Sequence, residues 1–412
     1  DFKKDLIWNL KNTLHPSIIF QLKKIYIYYV HDIKKTITLE KDSIEILESS
    51  LGRKFKLIKF QNKIFKKNGP KVFLKLTNKD LFLITGTGVL SYTKIENFNK
   101  DKIKLRIIRN NLRKLFNLEK IVKNPGLVLN MNIYDGYIYI SYVNEIKKNC
   151  FNTSVIRSKI NLDQMNFKKF FSPDQCVKKD NNYGEFYILE AGGAMEFFNE
   201  NNFFLSTGTF RYRDLSQKRE NIFGKILLLN LDNRKTKVIS MGHRNIQGMF
   251  YDKRKDILFS VEHGPQGGDE LNLIEPGKNY GWPVIGRGTN YGSTGSQIHA
   301  SIGQEGMEQP VHFWVPSIAT SGLMVYTGDK FPLWYGSIIA GALAGEQLAR
   351  LHMSDDYREV IVEETLAYGM GRLRDVRQGP DGYIYVAVSD GNGAGAGDFE
   401  TTAVVRLEPV DR

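Results

Sequence analysis

The stretch VLNMNIYDGYIYISYVNE, residues 128–145, consists of an apolar run, a short polar turn and a second run of alternating aromatic and aliphatic residues. Two such runs joined through Asp-Gly are typical of a β-hairpin. The pattern recurs to give six copies, the others lying at residues 71–88, 194–210, 248–264, 323–341 and 375–391. A hairpin that returns about every 60 residues indicates a β-sheet repeat protein.

Further strand-like runs lie between the hairpins, for example KIKLRIIR at 102–109 and GKILLLNL at 224–231. They bring each unit to about four short strands. A sheet of four strands cannot bury both faces alone, whereas a closed ring of such sheets packs each against its neighbours. The sequence therefore predicts an all-β fold, a six-bladed β-propeller of four-stranded antiparallel blades around a central channel. A pair of β-sandwiches is the alternative.

Residues 1–50 fit the repeat less well, so we place the propeller at 51–412 and treat 1–50 as a segment that leads into the first blade or completes it. Two runs near this end, at 21–35 and 39–52, are predicted to be partly helical. The alternation of apolar and polar residues is too weak there to choose between these roles.

Composition excludes several classes of protein. The 42% hydrophobic and 12% aromatic content argues against wholesale disorder. No apolar run approaches the roughly 18 residues that cross a bilayer, so we expect a soluble protein with no transmembrane segment. Residues 1–240 carry 44 basic and 23 acidic side chains. Because these lysines are scattered among strands rather than gathered in a patch, we expect no nucleic-acid partner.

Cys150 and Cys176 are the only cysteines in the sequence. A pair without a CxxC motif or a nearby histidine fits one disulfide better than a metal site, and two unpaired buried thiols are the alternative. A disulfide requires an oxidising compartment. The expected location is therefore periplasmic or secreted.

Polar motifs are concentrated in residues 241–284, which contain HRN-Q, EHGPQGGDELN and NYGWP. Gly264, Gly267 and Gly268 permit turns that can aim carbonyl oxygens at a cation, and Asp269 and Glu270 add carboxylates. The segment spans the fourth hairpin and the loops after it. We expect these loops to reach the channel, where propellers place their chemistry.

Five ordered motifs resemble those of the soluble quinoprotein sugar dehydrogenases, the glucose/sorbosone dehydrogenase family: RN-Q from Arg244, EHGPQGGDELN from Glu262, NYGWP from Asn279, PSIATSG from Pro316 and GRLRDV from Gly371. The resemblance is strong from about residue 190 onward and implies a six-bladed propeller. It also implies pyrroloquinoline quinone (PQQ) and calcium as cofactors, an aldose oxidised at its C1 hydroxyl, and an external electron acceptor. The protein would position the cofactor and take a proton from the sugar.

The resemblance implies cofactor binding by five residues, Arg244, Asn245, Gln247, Arg372 and Arg374. On a strand, Arg372 and Arg374 would point to the same side. Guanidinium groups suit carboxylates because they can donate two parallel hydrogen bonds. A solvated surface position is the alternative for any single arginine.

The resemblance implies that the backbone carbonyls of Gly264 and Pro265 bind calcium. A glycine-rich hairpin loop capped by Asp269 is the alternative. His263 and Asp269 are candidates for the substrate channel, although a loop histidine often only binds backbone. Tyr280 and Trp282 could form a sugar-stacking wall or pack a blade interface.

Two positions depart from the family pattern. Where the family has its proton-abstracting histidine, two residues before a Gly-Gly pair, this chain has Glu190, which either acts as the base or is an ordinary loop acid. Where the family has a cofactor-binding lysine, the chain reads Ala342-Leu343-Ala344-Gly345, so Ala344 offers no charge. These departures leave two functions open, a sugar dehydrogenase with altered chemistry and a non-catalytic propeller that binds a glycan or a protein. A calcium-dependent hydrolase is a weaker third.

Overall fold

The structure, a computed structural model, describes residues 14–29, 33–62, 71–117, 126–180, 185–292, 295–389 and 402–410. Helical elements in these ranges are few: the helices Pro16–Tyr28 and Leu112–Phe116 and the 3₁₀ turns Ile95–Asn99, Arg213–Gln217 and Pro332–Trp334. Within them, no helix has the length and apolar character needed to span a bilayer. Helix Pro16–Tyr28 agrees with the helical prediction for the first part of residues 21–35.

The described residues up to 110 contain seven strands: Thr36–Glu48 (β1), Lys54–Asn62 (β2), Val72–Leu76 (β3), Asp80–Thr85 (β4), Leu90–Lys94 (β5), Lys102–Ile107 (β6) and Arg109–Asn110 (β7). Strands β3 to β6 pair antiparallel in sequence order, and β1 pairs both β6 and β2. The helical prediction for residues 39–52 is therefore wrong as far as Glu48. The first part of β1 pairs with β6 and the rest pairs with β2, and Ile37 and Leu39 are buried.

Six strands follow: Val128–Tyr134 (β8), Tyr137–Lys147 (β9), Cys150–Lys159 (β10), Gln164–Met165 (β11), Lys168–Phe171 (β12) and Val177–Lys178 (β13). Strands β8, β9, β10 and β12 form one antiparallel sheet. At the β8–β9 turn, Asp135 and Gly136 have φ of 45° and 70°, as the predicted Asp-Gly hairpin requires. Cys150 and Cys176 form a disulfide, which confirms that prediction.

Three separate four-stranded antiparallel sheets come next. The first consists of Gly192–Asn199 (β14), Asn202–Thr207 (β15), Lys225–Asn230 (β16) and Thr236–Met241 (β17). The second consists of Ile246–Asp252 (β18), Ile257–Glu262 (β19), Asp269–Ile274 (β20) and His312–Trp314 (β21). The third consists of Thr320–Val325 (β22), Ile338–Ala342 (β23), Leu348–Met353 (β24) and Val360–Leu366 (β25). The predicted all-β architecture of four-stranded antiparallel sheets is confirmed.

The last strands are Arg372–Gln378 (β26), Ile384–Ser389 (β27) and Thr402–Pro409 (β28). Strand β28 pairs antiparallel with β2, so the two ends of the chain share one sheet of nine strands in the order β26-β27-β28-β2-β1-β6-β5-β4-β3. The first strands of successive sheets also touch: β3 contacts β8, and the contacts continue through β14, β18, β22 and β26. Strand β26 contacts β3 in turn.

Pairing of β2 with β28 brings Phe55 into the core, where it is fully buried and lies edge-on to Trp334. We predict that Phe55→Ala lowers the free energy of unfolding by about 3–5 kcal/mol, because it leaves a cavity at the joint between the chain ends. Ile44→Ala, at a 56% exposed position of the neighbouring strand, is the control. It should change the value by less than about 0.5 kcal/mol. Urea unfolding curves measure both, and equal losses would contradict this packing.

Candidate active site

The predicted cofactor residues lie at the starts of β18 and β26. Arg374 Nη1 lies 3.3 Å from the Gln247 amide oxygen, to which it donates a hydrogen bond. The Gln247 amide nitrogen donates to Asn245 Oδ1 at 3.0 Å, and the same oxygen accepts from the Gly192 backbone N–H at 3.0 Å. One chain of hydrogen bonds thus joins β26, β18 and β14, and fixes the orientation of both amide groups.

Arg244 forms a buried ion pair with Glu190, whose side chain is 1% exposed. Arg244 Nη2 lies 2.7 Å from Glu190 Oε2, although their alignment does not make a hydrogen bond. Glu190 Oε1 accepts from the Thr209 hydroxyl and from the Arg211 backbone N–H. The charge of Arg244 is therefore already balanced within the protein, and an anionic ligand would have to share it.

The Arg244 side chain also contacts the loop that is predicted to bind calcium. Arg244 Nη1 donates to the carbonyl oxygens of His263 at 3.0 Å and Gly264 at 2.9 Å. Among the residues described, no three His, Cys, Asp or Glu side chains form a group that could hold a metal. A guanidinium on the Gly264 carbonyl repels a second cation, so this arrangement does not fit calcium. Calcium at Gly264 and Pro265 stays a prediction of the family resemblance.

The Asp269 side chain forms a hydrogen bond with the backbone of this loop. Its carboxylate is fully buried and accepts the backbone N–H of Gly264 at 2.9 Å and that of Thr320 at 3.3 Å. This is the loop cap that the sequence offered as an alternative. A role of Asp269 toward substrate stays a prediction.

His263 stands beside the arginines. Its Nε2 lies 2.7 Å from the carbonyl oxygen of Thr320, so this nitrogen carries the proton and donates it. Burial lowers the pKa of His263 to about 4. The ring is therefore neutral near pH 7, with Nδ1 as its hydrogen-bond acceptor.

The two aromatic candidates differ. Tyr280 packs inside the fold: its ring stacks on His243 with centroids 4.8 Å apart, and its hydroxyl donates to the Leu273 carbonyl at 2.6 Å. Trp282 lies with the Arg244 guanidinium 5.4 Å from its ring centroid. Both aromatic residues line a small cavity together with Arg244, Glu270, Arg287 and His299. The geometry favours interface packing for Tyr280.

Charge is not balanced at the start of β26. Arg374 is 8% exposed, and its Nε has no hydrogen-bond partner in the described structure. Arg372 Nη1 donates only to the Leu343 carbonyl, at 3.2 Å. No described carboxylate forms an ion pair with either arginine. Burial, and then the charge of Arg372, lower the pKa of Arg374 to about 9. Since a buried unpaired charge is costly, these two guanidinium groups fit a polyanionic ligand such as PQQ.

Lys71 was not predicted as a site residue. It precedes β3 directly, its side chain is 5% exposed, and the charge of Arg374 acts on it. In a half of the chain with many lysines, one lysine before an apolar run gives no signal. Its place beside Arg374 results from the tertiary contact between β3 and β26.

Residues 130–396 match the family described as Glucose / Sorbosone dehydrogenase. Curated relatives include an uncharacterized protein of Synechocystis sp., 41% identical over 194 residues that cover 44% of this chain and 46% of that protein. Aldose sugar dehydrogenase YliI of Escherichia coli strain K12 is 34% identical over 218 residues, which cover 49% of this chain and 58% of that protein. The chain thus spans about half the length of these curated relatives.

Solved structures share the fold of this chain. The soluble aldose sugar dehydrogenase of Escherichia coli in its apo-form has a TM-score of 0.65 at 22% identity, covering 89% of this chain and 99% of that one. The PQQ-bound aldose sugar dehydrogenase of Streptomyces coelicolor has a TM-score of 0.56 at 21% identity, covering 82% and 99%. At these identities the likeness establishes a shared fold.

We predict that Arg374→Met stabilises the free protein, because it removes a buried cation that lacks a counter-charge. The free energy of unfolding should rise by about 1–3 kcal/mol. Arg377→Met is the matched control, since Arg377 lies on the same strand, is equally buried, and pairs with Asp375 at 3.0 Å. That variant should lose about 3–5 kcal/mol. Urea unfolding of the ligand-free protein measures the free energy of unfolding of both variants. Destabilisation by both substitutions would contradict the unpaired state of Arg374.

Proposed function

The chain belongs to the Glucose / Sorbosone dehydrogenase family, and from that premise we propose that it is a quinoprotein that oxidises the C1 hydroxyl of an aldose with PQQ. One observation carries the proposal: the half-buried Arg372 and the buried Arg374 lie at the start of β26, and neither forms an ion pair with a described carboxylate. PQQ is a flat molecule with three carboxylates. Its binding would supply the missing negative charge.

We further propose that the sheets are the blades of a six-bladed propeller. The ring of contacts from β3 through β8, β14, β18 and β22 to β26 and back to β3 supports this arrangement. The nine-stranded sheet would then hold two blades, joined where β1 pairs with β2. Residues 1–50 would complete the first blade through β1, and 51–412 would form the remainder. The channel between the inner strands is where the arginines meet.

In the proposed reaction the bound quinone supplies a two-electron acceptor, which no side chain of the protein can provide. Arg372 and Arg374 would hold its carboxylates, and the amides of Gln247 and Asn245 would fix their position. Oxidation at C1 also releases the hydroxyl proton, which needs a base. Glu190 Oε2 is the candidate, since it lacks a hydrogen-bond donor among the described residues.

The proposed partners are a small-molecule sugar as substrate and an external acceptor for the electrons taken from it. The Cys150–Cys176 disulfide supports a periplasmic or secreted location, because such bonds persist in oxidising compartments. No step of this scheme uses calcium.

We predict that purified protein incubated with PQQ reduces a redox dye when an aldose is added, and not when either is omitted. Dye absorbance measures the rate with a panel of aldoses. A parallel sample treated with a chelator tests calcium at Gly264 and Pro265, since an unchanged rate would remove that prediction. Tight binding of PQQ without turnover of any aldose would favour the non-catalytic alternative.

Glu190→Gln tests the base. We expect kcat at saturating PQQ to fall by roughly 10²–10⁴-fold, the usual contribution of general base catalysis. Glu200→Gln, on an exposed turn, is the control and should keep the wild-type rate. Turnover by Glu190→Gln at the wild-type rate would show that another group takes the proton.

A further inference from the structure

Lys71 differs from the other buried lysines of the described structure. Lys225 is fully buried, and its ammonium donates to the carbonyls of Leu215, Ser216 and Phe223. Lys75 pairs with Glu196 at 3.5 Å. Within the described residues, the Lys71 ammonium forms neither a hydrogen bond nor an ion pair. Burial, and then the charge of Arg374, lower its pKa to about 7. A lysine kept in such a site needs a reason other than stability.

The register between β3 and β26 places Lys71 near the arginines. The Leu74 backbone N–H donates to Asp375 Oδ2 at 3.1 Å. Strands β26 and β3 are the two edge strands of their sheet and contact each other directly. Lys71 precedes Leu74 by three residues. Lys71 therefore lies close to the start of β26, where the charge of Arg374 acts on it.

Ala344 flanks Arg372 from the other neighbouring sheet. Arg372 Nη1 donates to the carbonyl of Leu343, the residue before Ala344, and Ala344 itself is exposed. The family pattern has its cofactor lysine at this position. The missing charge thus lies beside Arg372, whereas Lys71 lies where the charge of Arg374 acts on it.

We propose that Lys71 replaces the absent lysine as a cofactor-binding cation, and that it forms a three-cation site with Arg372 and Arg374 for the carboxylates of PQQ. The proposal rests on the function proposed above. It gives a binding role to the residue directly before β3, which lies outside the segment of strong family resemblance. The ammonium would bind as a compact point charge beside the two planar guanidinium groups.

Isothermal titration calorimetry of the full chain with PQQ tests the role of Lys71, because it measures PQQ affinity without any turnover. Lys71→Met should weaken binding by roughly 30-fold to several thousand-fold, as expected for removal of one partner of a buried charge pair. The control is Lys79→Met, at the exposed turn of the same hairpin, which should bind like the wild type. Lys71→Met/Ala344→Lys should recover most of the lost affinity, because the new ammonium reaches Arg372 from the family position.

The outcomes separate the two proposals. If the wild type does not bind PQQ, the proposed function fails and this inference with it. If the wild type and Lys71→Met bind equally tightly, the proposed function stands and the assignment of Lys71 is wrong. Circular dichroism of each variant reports folding. Should Lys71→Met fail to fold, Lys71→Arg and Lys71→Gln give the same test, since only the charged variant is expected to retain affinity.

Discussion

Positive charge without a counter-ion, at the start of β26, is the constraint on which the site depends. Arg372 and Arg374 are held there by neighbouring sheets, through the Leu343 carbonyl and the Gln247 amide. Neutral acceptors satisfy part of their hydrogen bonding, and the charges of Glu346 and Asp375 act on them without forming an ion pair. A fold that retains such a pair tolerates a loss of stability, which is common where a protein must bind an anion.

The unpaired charges of Arg372 and Arg374 differ from the charges of neighbouring side chains that form ion pairs. The register of β26 shifts between Leu373 and Asp375, and the charge of Arg372 acts on Arg374, whereas Asp375 pairs with Arg377. The Asp375 carboxylate accepts a hydrogen bond from the Leu74 backbone N–H and forms an ion pair with Arg377. The charges of Asp375 and Arg377 therefore balance each other inside the fold. Arg244 and Glu190 balance each other's charge in a second ion pair. The unbalanced cations are those that border the proposed channel.

The architecture was largely predictable from the sequence, because alternation and Asp-Gly turns are local signals. The hairpin at 128–145 is strand, turn and strand as its pattern indicates. Strand β1 was missed because its pairing with β2 and β6 is tertiary and overrides a weak local pattern. Motifs also predicted which residues meet at β18 and β26.

Charge partners were not predictable. Glu190 and Arg244 are 54 positions apart, and no local pattern announces their ion pair. Motif resemblance implied a carbonyl pair open to calcium at Gly264, whereas the same Arg244 donates to that carbonyl. Lys71 gave no signal at all, since its neighbours in space come from strands far along the chain.

The central claim is that the cations at the start of β26 bind a flat polycarboxylate. A crystal structure of the chain grown with PQQ tests it most directly. The account predicts density for a planar tricyclic ligand with carboxylate oxygens about 3 Å from the guanidinium groups of Arg372 and Arg374. Density bound elsewhere, or both arginines paired with carboxylates of the protein itself, would contradict it.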